Sequence, residues 1–136
     1  MNIKSNLGKI NLNQNNSIVI GSGILNALSI RKIKDIDLVV DSNAYIRLSS
    51  DKHFEKSENH GQEILTDELF EIGRNWDVMG KNRNFKDFLP DSIVINDVRY
   101  ITLQFLLDVK KSWVKDKDVR QKDIDDIELI ENYLKR

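Results

Sequence analysis

A short apolar, β-branched run, Ser17-Ile18-Val19-Ile20, stops abruptly at Gly21-Ser22-Gly23. Such a run reads as a buried strand that ends in a tight turn. Ile24, Leu25, Ala27 and Leu28 then give a short helix, and Ile36, Leu38, Val39 and Val40 form a second strand entered through Asp35. Two strands that need burial, joined by a glycine turn and a short helix, commit the chain to a sheet with a helix packed on it.

The remainder extends that plan. Ala44, Tyr45 and Leu48 fall on one helical face, and Asp51 to Gly61 reads as loop. Phe70 to Met79 reads as a strand with a bulge or turn at Gly73-Arg74-Asn75, and Lys81 to Asp91 holds Phe85, Phe88 and Leu89, which suit a short helix closed by Pro90, the only proline. Ser92–Ile95 and Val98–Ile101 suit a hairpin around Asn96-Asp97. Thr102 is placed to cap the next helix, where Phe105, Val109 and Trp113 recur every four residues and Leu103, Leu106 and Leu107 widen the stripe. After a charged connection, Ile124, Ile127, Ile130 and Leu134 predict the apolar face of a last helix. The expected fold class is α+β: a small mixed sheet flanked by helices, in a single domain over residues 1–136.

Asp35-Ile36-Asp37 is the most informative tripeptide. Side chains alternate along a strand, so both carboxylates share one face while Ile36, Leu38 and Val40 face the core. Their Cα atoms stand about 7 Å apart, from roughly 3.3 Å of rise per residue. Left bare, the two acids repel and raise each other's pKa. A divalent cation resolves the conflict, and magnesium takes hard oxygen ligands, typically one or two carboxylates plus substrate phosphates. Gly21-Ser22-Gly23 supplies the complementary half: its glycines let the backbone approach a phosphate, helix-start N–H groups favour an anion, and the Ser22 hydroxyl can donate. Each element alone is commonplace. The conjunction, with twelve residues between Ser22 and Asp35, is what points to a metal-bound nucleoside triphosphate.

Composition narrows the setting. Apolar residues at 40% and charged residues at 32% are a globular balance. The absence of cysteine excludes disulfides and thiolate zinc sites, and fits a cytoplasmic protein. No run approaches the roughly 20 apolar residues of a membrane span, and the Asn-rich stretch Met1 to Asn16 lacks the apolar centre of a signal peptide. A net charge of −1 argues against a broad nonspecific DNA-binding surface.

The pattern Ile18-Val19-Ile20-Gly21-Ser22 followed by Asp35-Ile36-Asp37-Leu38-Val39-Val40 resembles the nucleotidyltransferase superfamily. That group includes DNA polymerase β, the aminoglycoside and lincosamide nucleotidyltransferases and the minimal nucleotidyltransferases. The ending Leu106-Leu107-Asp108-Val109-Lys110 and then Arg120-Gln121-Lys122-Asp123-Ile124-Asp125-Asp126-Ile127 is similar to that of its small members. The resemblance implies a polymerase β-like fold and transfer of a nucleoside monophosphate, from ATP or another triphosphate, to a hydroxyl acceptor. The acceptor would be a small molecule, an RNA end or a protein side chain. It implies Mg2+ held by Asp35 and Asp37, with a third acid on a neighbouring strand. Asp77, in Trp76-Asp77-Val78, is the best candidate, and Asp91 and Asp97 are rivals that read better as turn residues. Gly21, Ser22, Gly23, Lys110 and Lys122 would bind the nucleotide, and a homodimer could complete the acceptor pocket. Gly23 departs from the pattern, since many small members carry arginine there.

Several residues invite a plainer reading. The stretch Lys110 to Lys122 holds Lys110, Lys111, Lys115, Lys117, Arg120 and Lys122 against Asp116 and Asp118, and reads largely as a solvated connection. Asp123 is expected to cap the last helix, with Asp125 and Asp126 in its first turn, where the helix dipole favours acids. His53 and His60 read as surface residues, and Trp76 and Trp113 as core. Arg31 either reaches a phosphate or stays on the surface. The rival to an enzyme is a binding module of the same fold, without turnover, that senses a nucleotide or docks a protein.

Overall fold

The structure, a computed structural model, describes residues 1–115 and 119–136. Its centre is a mixed sheet of seven strands: β1 (Ser17–Ile20), β2 (Ile36–Val40), β3 (Glu55–Asn59), β4 (Gln62–Thr66), β5 (Phe70–Gly73), β8 (Ser92–Ile95) and β9 (Val98–Ile101). Their order is β3-β4-β5-β2-β1-β9-β8. β2 runs antiparallel to β1 and parallel to β5, and β1 runs parallel to β9. The two strands of the initial motif are thus the middle of the sheet. All of β1 is buried, and β2 is buried except at Asp37.

Helices α1 (Ile3–Lys9), α2 (Gly23–Ala27), α3 (Ser42–Ser49), α4 (Phe85–Phe88), α5 (Leu103–Trp113) and α6 (Gln121–Leu134) flank the sheet. Their starts follow from local hydrogen bonding. Asp41 accepts from the Ala44 N–H at 2.8 Å, and Thr102 accepts from the Phe105 N–H at 3.1 Å as expected. Asn84 and Asp87 form a reciprocal capping box on α4. The polar N-terminus also carries a helix, whose Ile3 and Leu7 enter the core.

Four sequence expectations need correction. The presumed loop 51–61 contains β3, which pairs with β4 around His60-Gly61, both at positive φ as a tight hairpin requires. Its sequence, Glu-Lys-Ser-Glu-Asn, is wholly exposed, so no apolar alternation betrayed it. The strand expected over 70–79 breaks at Arg74, within the bulge or turn foreseen there, but its halves part company: β5 joins the main sheet, while β6 (Asn75–Val78) pairs with β7 (Lys81–Asn84) in a second sheet. Asp77 therefore lies on a separate two-stranded sheet rather than on the neighbour of β2. Within Lys81 to Asp91 the expected short helix is present as α4, but β7 precedes it and Pro90 falls in a 3-10 turn over Leu89–Asp91.

The fourth correction concerns α6. Ile130 is buried and Ile127 half-buried, but Ile124 and Leu134 are exposed, while Asp123 and Asp126 face inward. The residue that begins the helix is Arg120, so Asp123 lies in the first turn and does not cap it. No helix among the described residues is long and apolar enough to cross a membrane.

Candidate active site

The turn after β1 forces the first contact of the site. Strand pairing sets Ile20 opposite Asp37, and Gly21 follows at φ +63°. A Cβ on Gly21 would sit 3.0 Å from Asp37 Oδ2, so backbone and carboxylate meet where no larger residue fits easily. At Gly23 the restriction is harder: a Cβ there would lie 2.2 Å from Val19 Cγ1. An arginine at this position has no room, which explains the departure from the familiar pattern. Ser22 opens α2 without spending its hydroxyl on a cap.

The neighbour of Asp37 on the other side is Glu71, its partner in the parallel pairing of β2 and β5. Burial, the Glu71 charge, a hydrogen bond with Glu71 and the nearby Asp35 together push the Asp37 carboxyl up from 3.8 to about 7, against the opposing pull of Lys122. Asp35, just before β2, is exposed. Asn59 donates to Glu71 Oε1 at 3.3 Å. Sequence reasoning missed Glu71. The signal was present in Phe70-Glu71-Ile72, an acid between two buried residues, but its use required knowing that β5 lies beside β2.

Asp37 borders two hollows. The smaller, about 340 Å³, is lined by Ser22, Gly23, Asp35 and four cations, Arg31, Lys32, Lys34 and Lys122. The larger, about 720 Å³, holds Glu71 and Asp77, the amides Asn59, Gln62 and Asn75, and the rings of Trp76 and Trp113. Asp77 thus stands in the wall of the cleft, where Asn82 donates to its carboxylate. His60 lines the cleft as well. Trp76 and Trp113 are half-buried, packed edge to face with centroids 6.2 Å apart, each with a surface in the cleft.

Lys110 is placed elsewhere than the phosphate reading required. Its amine is buried between α5 and α6, 2.9 Å from Asp123 Oδ1 and 2.9 Å from Asp126 Oδ2. Asp116, Lys117 and Asp118 lie outside the described residues. His53 pairs with Asp67 at 2.8 Å, away from both hollows. With Glu68 they form a group whose ligand atoms lie within 4.8 Å of one another, and among the described residues no other His, Asp or Glu trio is so closely gathered. The acids around Asp37 are an open set, not a closed cage.

No protein-family model matches the sequence, and no curated protein matches it. Two solved structures share its architecture. One is the solution structure of the antibiotic-resistance factor ANT(2'')-Ia: TM-score 0.58, 17% identity, covering 97% of this chain and 80% of that one. The other is the crystal structure of ANT(2'')-Ia in complex with adenylyl-2''-tobramycin: TM-score 0.57, 18% identity, covering 97% and 85%. At these identities the likeness is one of fold alone, an α+β architecture shared with ANT(2'')-Ia.

Proposed function

We propose that this chain transfers a nucleoside monophosphate from a nucleoside triphosphate to a hydroxyl group. The carrying observation is the position of Asp37, pressed against the Gly21 turn, beside Glu71, and bordering both hollows. Four cations in the smaller hollow suit the polyanionic triphosphate. The larger hollow, with carboxylates, amides and two indoles, suits an uncharged or cationic acceptor. Its volume is in the range of small-molecule sites, roughly 300–1,000 Å³. Attacking and leaving oxygens lie roughly in line at a transferring phosphorus. The reacting phosphorus would then sit at Asp37, with pyrophosphate leaving on the basic side and the hydroxyl arriving beside Glu71.

In this arrangement Glu71 takes the place read for Asp77 as third carboxylate, and is the group positioned to take the acceptor's proton. The donor set fits magnesium: Asp35, Asp37 and Glu71 offer only hard oxygens, the charges of Asp35 and Glu71 bear on Asp37, and among the described residues none of the three is in an ion pair. Magnesium held there would supply charge neutralisation to the triphosphate. Ser22 and the backbone at Gly21 would orient the phosphates, and Lys122 would add charge from the facing helix. The shared fold with a protein crystallised with adenylyl-2''-tobramycin supports ATP as donor and a small hydroxylated acceptor. Among the described residues no ion pair ties Lys122 to Asp35 or Asp37, so the carboxylates are not sealed as a pure binding module would allow.

Thermal unfolding with each of the four nucleoside triphosphates, with and without magnesium, tests this reading. A triphosphate at about a hundred times its dissociation constant adds roughly 2.7 kcal/mol of stability. The gain should require magnesium and vanish in Asp37→Asn. Absence of any magnesium-dependent shift would overturn the reading.

A further inference from the structure

The sequence ending Lys110…Arg120-Gln121-Lys122-Asp123…Asp126 carries chemistry that the proposed transfer does not use directly. Lys110, Asp123 and Asp126 are each about 2% exposed or less. The Lys110 amine lies between the two carboxylates. Each carboxylate also holds an arginine. Asp126 receives Arg31 through Nε at 2.7 Å and Nη2 at 2.8 Å. Asp123 receives Arg120 through Nε at 3.0 Å and Nη2 at 3.2 Å. Three cations face two carboxylates, with every link at hydrogen-bond distance.

The two arginines emerge on opposite sides of Asp37. Arg31 lines the basic hollow, in the segment leading to Asp35. Arg120 lines the cleft and lies over the Trp113 ring at 5.8 Å. Between Arg120 and Asp123 in the chain is Lys122, exposed, lining the basic hollow and acting on the Asp37 charge. The buried trio therefore fixes α6 to the segment before β2, and that junction sets where Lys122 points.

Resting on the nucleotidyltransferase reading, we infer that Lys110, Asp123 and Asp126 are positioning residues that hold Lys122 and Arg31 at the triphosphate hollow. Lys110 and Asp126 line neither hollow, and Asp123, at the wall of the larger one, is engaged by Lys110 and Arg120. Their effect on binding is exerted through α6 and Arg31.

Charge and position predict opposite signs, which makes the inference testable. The triple variant Lys110→Met, Asp123→Leu, Asp126→Leu replaces the network by apolar residues, a change buried ion networks often tolerate. It leaves the region one charge more positive. Calorimetric titration with magnesium tripolyphosphate then discriminates. Positioning predicts binding about tenfold weaker, the scale seen when supporting groups of a site are removed. Unchanged or tighter binding would overturn the inference. Arg31→Lys is the companion variant. It keeps the charge and leaves Asp126 paired with Lys110, so it tests the junction even if the triple variant does not fold; weaker binding is expected, and unchanged binding overturns it. Wild-type protein that ignores tripolyphosphate sinks the functional reading and this inference together. Binding lost in Asp37→Asn but retained in the triple variant sinks the inference alone.

Discussion

Two clusters of carboxylates, one at Asp37 and one at Asp123 and Asp126, are built from the same residue types and are tuned in opposite directions. Burial raises the pKa in both. At Asp123, the bonds from Arg120 and Lys110 outweigh burial and hold the carboxyl below its ordinary range. At Asp126, Arg31 and Lys110 do the same. At Asp37 burial is reinforced by Glu71 and Asp35, and among the described residues Lys122 alone opposes. Density of acids on the sequence therefore says little. The supply of cations from other elements decides which cluster is finished and which is left short of positive charge.

The largest effect should come from unfinishing the finished cluster. Lys110→Ala leaves two buried aspartates sharing two arginines, and breaking such a buried network costs about 3 kcal/mol. Urea unfolding would read it. A loss under about 1 kcal/mol would mean that the arginines alone suffice.

Next comes Asp37→Asn, which should abolish the magnesium-dependent nucleotide stabilisation of roughly 2.7 kcal/mol. The same variant exposes the contrast in pH. Asp37 has a raised folded pKa, so the folded state binds the proton more tightly, and stability without metal falls as pH rises from 3.8 towards about 7. Asp123 and Asp126 have lowered folded pKa values. Their contribution is present above the ordinary carboxylate range and is lost as pH falls through it. Asp37→Asn should flatten the fall between pH 4 and 7, and leave the acid limb untouched. An unchanged slope would place the proton uptake elsewhere.

How much of this contrast was legible in sequence depended on range. The strand–turn–helix–strand unit, the β8–β9 hairpin and the Thr102 cap are local, written in patterns within a few residues of each other. Glu71 was hidden because its significance arises from the parallel pairing of β2 with β5 across the sheet. Asp123 and Asp126 were misjudged because the stripe of Ile124, Ile127, Ile130 and Leu134 predicts the buried face. A lysine on α5 turns the helix instead towards its acids. Lys110 shows the converse error: a basic residue in a basic stretch looked available for phosphate, yet its partners lie thirteen or more residues on.

A smaller effect probes the turn that builds the unfinished cluster. Gly23→Ala places a methyl 2.2 Å from Val19 Cγ1, within a buried strand. Overpacking of this kind costs about 2 kcal/mol, and where the clash is relieved by moving α2 and its turn rather than the Val19 side chain, nucleotide stabilisation should drop as well. Thermal unfolding with and without magnesium-ATP separates the two losses. A variant that loses stability but keeps its full nucleotide shift would show that the turn is needed for packing alone.

The smallest effect belongs to a third carboxylate, Asp67, which shows what an exposed partner adds. Burial raises its pKa, but the N–H groups of Phe70 and Leu69 and the His53 ring outweigh it. Both N–H groups reach Oδ1, at 2.6 and 2.8 Å, so the backbone already satisfies that oxygen and His53 meets Oδ2. His53 is exposed, and its hydrogen bond to Asp67 raises its pKa. A raised histidine contributes fully below its ordinary value of about 6.5 and loses that contribution as pH rises through the folded value. His53→Ala should therefore lower the unfolding midpoint slightly at pH 5.5 and not at all at pH 9. A loss of equal size at both pH values would mean that the ring acts by packing on Phe54, with centroids 5.1 Å apart, and not by charge. Unlike Lys110, whose removal leaves two buried acids with one arginine each, His53 meets one oxygen of an acid whose other oxygen the backbone already holds.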